Sequence, residues 1–388
     1  MSLKDDLKKH VSMERLSLHM PGHKGLRDPQ DVTELPGLDN LLHPTGSLLE
    51  LEARMAAHYE AAQAYLGTGG STSMILSAML QAGRGERIVL PRVSHQSVYK
   101  GMMANLQEPV YLPNKLNNLG IAAPIEAEDY VKHLAERTLV FNGPTYEGFF
   151  EDYAPIEPML WGKLTILDGA HGAHLRFLGI RANSWMKLII HSLHKTLGVL
   201  NSGAVLLSNL EDGVREAAGF FQTTSPSYPV LLSMEESLDQ LEGMDPLAVL
   251  EDLSVLFEEI DCIRGFRPLQ ASDPLKLLLQ GDLRFSMLEI AVWLREEWGI
   301  FFEIEEERYL LGMLTLYRRK EQNQYLLKAL DAASLHFGME DDFLEPASAG
   351  RVHLPVMKHL PGEAFGAPRL LVPVRESVGR VSSVLYSP

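Results

Sequence analysis

The sequence has a single cysteine, Cys262, so neither an intrachain disulfide nor a thiolate zinc site can be built. Positive charge is also scarce: 35 Lys and Arg against 51 Asp and Glu leave a formal charge of −16. That balance argues against a nucleic-acid partner, which requires clustered cations, and favours cationic small molecules near the surface. No run approaches the ~18 apolar residues of a membrane span, so no membrane association is expected. The first residues, MSLKDDLKKHVSMERL, lack the apolar stretch of a signal peptide. The expected setting is a reducing cytoplasm. Internal repeats, low-complexity tracts and long linkers are missing as well.

What the chain does have is length and ordinary globular composition, 388 residues with 46% hydrophobic and 22% charged. Two domains are expected at that size. From residue 50 to about 210, stretches with apolar spacing near 3.6, LLELEARMAAHYEAAQAYLG and SMILSAMLQAG, alternate with short apolar bursts. The bursts are ERIVLP, LVFNGP, LTILDGA, KLIIHS and GAVLLSN, each ending at Gly, Pro, Asp, Asn or Ser. This alternation predicts an α/β domain with a mostly parallel central sheet, whose function collects at the carboxyl ends of the strands. The region SMEESLDQLEGMDPLAVLEDLSVLFEEIDCIRGF reads as wholly helical, a connector. Beyond it LKLLLQ reads as a strand, MLEIAVWLREEWGI as a helix and FFEIEEERYLLGMLTLY as two short strands. The expected division is an N-terminal segment 1–50, a large cofactor-binding domain 51–240, and a connector helix with a smaller C-terminal α/β domain over 241–388.

One lysine stands out. In HSLHKTLGVLNSGAVLL, Lys195 sits between histidines and a run of small and apolar residues. It is either a strand-end residue that snorkels to water, or a lysine kept neutral by its surroundings and able to form an imine with a carbonyl cofactor. In LTILDGAHGAH, Asp168 follows an apolar strand and precedes Ala170, His171 and His174. It is either a turn former or a fixed anion for a cationic ring nitrogen. Asp168, His171, His174, His191 and His194 also contain metal-ligating chemistry, but Lys195 would be a superfluous cation beside an ion, and no metal is expected. Upstream, YLGTGGSTSMILSAML leads glycines and hydroxyls into a helix. Gly70, Ser71, Thr72 and Ser73 are placed there to receive a phosphate.

An imine-forming lysine, a strand-end aspartate and a phosphate cradle together outline pyridoxal 5'-phosphate. The lysine carries the aldehyde, the aspartate keeps the pyridine nitrogen protonated, and the cradle holds the phosphate. His95, in LPRVSHQSVYKGM, is expected flat on one face of the ring, with Ala170 against the other.

The stretches HMPGHKG, TELPGLDNLLHPTGSLLELE, GTGGSTS, RVSHQSV, FNGPTYEGFFED, LDGAHGAH, HSLHKTL and FFQTTSPSYPVLLS occur in this order between residues 18 and about 235. In them the chain resembles the ornithine/lysine/arginine decarboxylases, bacterial fold type I pyridoxal-phosphate enzymes; DPLKLLL and VPVRESVGRVSSVLYSP extend the likeness more weakly. The resemblance implies Lys195, Asp168 and His95 as catalytic residues, and Ser71, Thr72, Ser192 and His194 at or near the phosphate. It puts His171 and Thr145 on the substrate side. It implies that QTTSPSY, with Thr224, reaches the cofactor of a neighbouring subunit, so that the working unit is at least a homodimer. The implied activity is decarboxylation of arginine, lysine or ornithine to an amine of polyamine metabolism. The rivals are another fold type I reaction, aminotransferase or lyase, and a cofactor-binding protein with reduced activity.

The chain departs from the usual family pattern at Gly69, where Asn is usual, Gln96 (Lys), Glu147 (an aromatic) and Gly169 (Glu). It also stops at LYSP, where relatives usually continue through a PPGIP-like stretch. A shortened or trimmed member is expected.

Overall fold

Five-residue bursts of Val, Ile and Leu suit strands buried on both faces. The computed structural model describes residues 2–378 apart from 182, 212, 318, 319, 355, 369 and 377. Most of the quoted stretch VPVRESVGRVSSVLYSP lies outside the described residues. The chain runs through β1 (Gln63–Gly67), β2 (Arg87–Pro91), β3 (Glu108–Leu112), β4 (Lys115–Asn117), β5 (Thr138–Asn142), β6 (Leu164–Asp168), β7 (Leu188–Ser192) and β8 (Ala204–Ser208). Seven of these form one sheet in the order β1-β8-β7-β6-β5-β2-β3. β8 runs antiparallel to both its neighbours, and the remaining pairs are parallel.

Alternate strand residues enter two cores, as a side-chain period of two requires. Val89, Leu139, Phe141, Leu167 and Ile189 pack on one face with Leu3, Leu7, Leu51, Met55 and Leu231. Ile88, Leu90, Val140, Ile166 and Ile190 pack on the other with Met74, Met79, Val98 and Met102. Each such side chain contributes about 1.5–3 kcal/mol by leaving water.

A second, antiparallel sheet follows: β9 (Phe266–Leu269), β10 (Lys276–Gly281), β11 (Ile304–Glu305) and β12 (Leu310–Met313), in the order β11-β12-β10-β9. The helices Met287–Trp298 and Lys320–Phe337 share its core. The chain then returns to the first unit, where β13 (Ser348–Arg351) pairs with β4.

Two readings of the sequence change. The helical pattern of residues 48–67 ends at Tyr59, where Glu60 takes a left-handed φ of 57° and its N–H closes the helix on Ala56 O and Ala57 O. The Ala-rich remainder becomes β1 because β8 pairs with it, a tertiary choice that overrides weak local preference. The connector is two helices, Tyr228–Leu241 and Pro246–Asp261. Pro246 opens the second, where a missing N–H costs nothing, and the Asp245 side chain caps it by accepting Leu247 N–H at 3.0 Å.

Candidate active site

The parallel strands β2, β5, β6 and β7 end at the same edge, and the residues just past them converge. His95 comes from the turn after β2, Thr145, Tyr146 and Glu147 follow β5, Asp168 ends β6 with Ala170 and His171 beyond it, and Lys195 follows β7. All eight line one cavity of about 740 Å³, together with Ser71, Asn142, Arg92 and, from the returning C-terminal stretch, Arg351 and His353.

Asp168 is buried and accepts Ala170 N–H at 3.3 Å. Burial pushes its carboxyl up, against the opposing pull of His95, the Ala170 bond and Lys195. A carboxylate with so little hydrogen bonding, turned to a cavity, suits a cationic ligand group. His95 caps the helix Gln96–Ala104: its Nδ1 lies 2.7 Å from Ser97 Oγ and accepts Ser97 N–H at 3.3 Å. The ring is thereby fixed through Nδ1 and held below the usual histidine range by burial.

Lys195 sits on the short helix Leu193–Thr196. Its Nζ is 2.9 Å from His171 Nε2, and burial lowers its basicity against the pull of Asp168 and Glu303. A second lysine, Lys276 of β10, approaches the other ring nitrogen, with Nζ 3.1 Å from His171 Nδ1. Lys276 is 2% exposed, and burial pushes it down to about 8. The Tyr146 ring faces both ammonium nitrogens, at 5.8 and 5.7 Å, and lies 4.4 Å from the His171 ring. Its hydroxyl donates to Glu303. Burial raises the Glu147 carboxyl.

The other residues singled out in the sequence are not among those that line this cavity. Ser73 donates its hydroxyl to Gly70 O at 2.8 Å, and Gly70 N–H donates to Ser202 O at 2.7 Å. Ser192 Oγ lies 3.3 Å from His194 Nδ1, which is itself 3.0 Å from Gly203 O. Thr72 is half-buried, and Thr224 is exposed on the loop before the helix Tyr228–Leu241. Gln222 of that loop approaches Gly67 and Gly69 beside the Gly70–Gln81 helix.

The residues weighed as metal ligands have other partners. His174 Nε2 is 2.7 Å from Asp273 Oδ1 with both side chains fully buried, and His191 Nδ1–H donates to Gly169 O at 2.7 Å. Among the described residues, the group with metal-ligand spacing is His10, Glu14 and His19, away from these strands in the chain. Sequence reasoning passed over Lys276, although a lysine inside the apolar run LKLLLQ carries the same signal that drew attention to Lys195.

A sheet with only β8 reversed, a lysine just past β7 and a carboxylate ending β6 belong to the fold type I pyridoxal-phosphate architecture. Within that class, the model of the Orn/Lys/Arg decarboxylase major domain matches residues 29–312, and the chain belongs to this family. It is 28% identical to the uncharacterised protein YaaO of Bacillus subtilis, with 83% of this chain and 75% of that one covered. It is 26% identical to an arginine decarboxylase of Bacillus cereus, covering 97% of this chain and 91% of that one. The solved constitutive lysine decarboxylase of Escherichia coli shares the fold, with a TM-score of 0.74 and 21% identity over 87% of this chain. This chain spans 61% of that structure's length.

Proposed function

We propose that the protein decarboxylates a basic amino acid, arginine, lysine or ornithine, with pyridoxal 5'-phosphate held in the 740 Å³ cavity. The observation that carries this reading is the convergence of Lys195, Asp168, His95 and Ser71 on that one cavity. When bound, the cofactor supplies the electron sink for the bond between Cα and the carboxylate. Lys195 provides the amine that anchors it, and burial keeps that amine a ready nucleophile. Asp168 supplies a fixed negative charge for a protonated ring nitrogen, and His95 supplies a flat face. Ser71, in the first turn of the helix Gly70–Gln81, offers a hydroxyl and a helix N-terminus to the phosphate, with Thr72, Ser73, Ser192 and His194 near it. Ala170 packs against the opposite face, and Thr145 and His171 bound the space left for substrate. Glu147 and the Glu303 carboxylate behind Tyr146 give that wall negative character, which suits a cationic substrate side chain.

The reading includes at least a homodimer, with the loop Gln222–Tyr228 of one copy meeting the first turn of the Gly70–Gln81 helix of another. Thr223, Thr224 and Ser225 are exposed, and hydroxyl side chains suit a polar contact. A cytoplasmic setting and an amine product of the polyamine class complete it.

The test is incubation of the purified, cofactor-loaded protein with a panel of amino acids. Carbon dioxide and an amine from a basic amino acid support the reading. A keto acid without carbon dioxide would transfer the site to aminotransferase chemistry.

A further inference from the structure

Lys276 is a charge placed where none is needed for packing. It occupies β10 among Leu277, Leu278 and Leu279, and it is as buried as they are. Placing an ammonium group there is costly unless it has a partner. Asp273, the nearest carboxylate in sequence, takes His174 Nε2 at 2.7 Å and Leu275 N–H at 2.9 Å on Oδ1, and favours the charge of Lys276 without a hydrogen bond to it. The partner the structure provides for Lys276 is His171 Nδ1, at 3.1 Å, and the other nitrogen of the same ring meets Lys195 at 2.9 Å. Two lysines are therefore joined through one imidazole, with the Tyr146 ring facing both.

We propose that Lys276 is a positioning residue that stores the proton His171 delivers to Lys195. The inference rests on the decarboxylase reading, since replacing a carboxylate by hydrogen consumes one proton at carbon in each turnover. With Lys276 charged, its N–H donates to Nδ1, the ring carries its hydrogen on Nε2, and Nε2–H donates to the Lys195 amine. Transfer breaks one N–H bond at Lys276 and forms one at Nδ1. It also breaks the Nε2–H bond and forms one at Lys195. The ring stays neutral while the charge crosses it. After Lys195 has given up the proton, uptake of another at Nε2 from cavity water, with return of the Nδ1 proton to Lys276, restores the start.

The surroundings fit a neutral relay. Burial, reinforced by the charges of Lys276 and Lys195, holds His171 far below the ordinary histidine range, so it carries protons without keeping an extra one. Lys276 faces Asp273, Glu303 and Glu147, which favour its charge, and Lys195, which opposes it. Burial outweighs the carboxylates and brings it to about 8, a group that both holds and releases a proton near neutrality.

Two variants of the cofactor-loaded enzyme separate the relay from a packing role. Lys276→Arg keeps a positive charge that is never released. It is expected to lower kcat for carbon dioxide release roughly 10²-fold with KM little changed. Lys276→Met removes the charge, and should raise the pH midpoint of the bound cofactor's visible absorbance, read without substrate, by about one unit or more. A lysine whose charge is not felt at Lys195 would alter occupancy or melting temperature but not that midpoint. A Lys276→Arg enzyme with the parental kcat would overturn the proposal, as would an unchanged midpoint in Lys276→Met. If Lys276→Met does not fold, Lys276→Arg alone decides. A parent enzyme that releases no carbon dioxide refutes the decarboxylase reading instead, and the absorbance comparison still tests whether the charge of Lys276 is felt at Lys195.

Discussion

Asp168 is a carboxylate withdrawn from water at the end of β6, where burial raises it and His95, the Ala170 N–H and Lys195 pull it back toward the ionised form. Asp168→Asn keeps the shape and removes the charge. The variant is expected to retain most of its cofactor, by visible absorbance, while kcat falls roughly 10²-fold or more. Parental turnover in that variant would return Asp168 to the role of a turn residue. One position further, Gly169 has no room for a side chain. A Cβ there would stand 3.0 Å from His191 Cε1 and Nδ1 and 3.2 Å from Ile190 O. The His191 ring is tied to the same residue by the Nδ1–H bond to Gly169 O, so neither partner moves freely. Gly169→Ala should cost about 1–3 kcal/mol, seen as a lower denaturant midpoint at unchanged slope. A stability equal to the parent's would show that this packing relaxes without cost.

At the scale of elements, the helix Ser47–Tyr59 is joined to the sheet edge by Glu52. This buried carboxylate takes Arg215 Nη1 at 2.9 Å and Nη2 at 2.5 Å, and accepts Leu66 N–H of β1 at 3.2 Å. The Arg215 guanidinium also lies 4.5 Å from the centre of the Tyr65 ring. Arg215→Ala strands the carboxylate and should cost about 1–3 kcal/mol, less than a fully buried pair because Arg215 is partly exposed. Glu52→Gln keeps the hydrogen-bonding shape and should cost less. The reverse order, measured by chemical denaturation, would contradict this account of how β1 is fixed.

The same scale explains what is legible in the sequence. β2, β5, β6, β7 and β8 can be read because they are buried on both faces, so each is an unbroken apolar burst with a polar stop. Asp168 can be read because it ends such a burst, and His95 and Lys195 because each closely follows one. β1 and β3 are obscured: AYLG continues a helical spacing, and EPVYL begins with a charge and a proline. Their identity depends on β8 and β2, partners distant in sequence. Lys276 escapes for a related reason. Its meaning comes from His171, which is 105 residues away and reached only when β10 packs against the loop after β6.

For the whole molecule, buried neutral histidines set the acid limit. Burial holds both His58 and His191 at about 4, and His171 lower still. Between the unfolded value near 6.5 and these folded values, the unfolded chain binds more protons, so stability falls as pH falls through that window. His191 contributes up to about 3 kcal/mol to this loss, and the part-exposed His58 less. Unfolding free energies measured from pH 7 to pH 4 should decline steeply below about 6.5. A flat profile would mean that the rings are already solvated in the folded state.

The account as a whole stands on one chemistry at one cavity, and carboxyl-labelled substrate reads it most directly. The parent and Lys195→Ala proteins, each supplied with pyridoxal 5'-phosphate, are incubated with arginine, lysine and ornithine labelled at the carboxyl carbon. The account predicts labelled carbon dioxide, matched by the corresponding amine, from at least one of them with the parent and none above background with Lys195→Ala. Label retained in all three amino acids by a cofactor-loaded parent, or equal release by the two proteins, would contradict it.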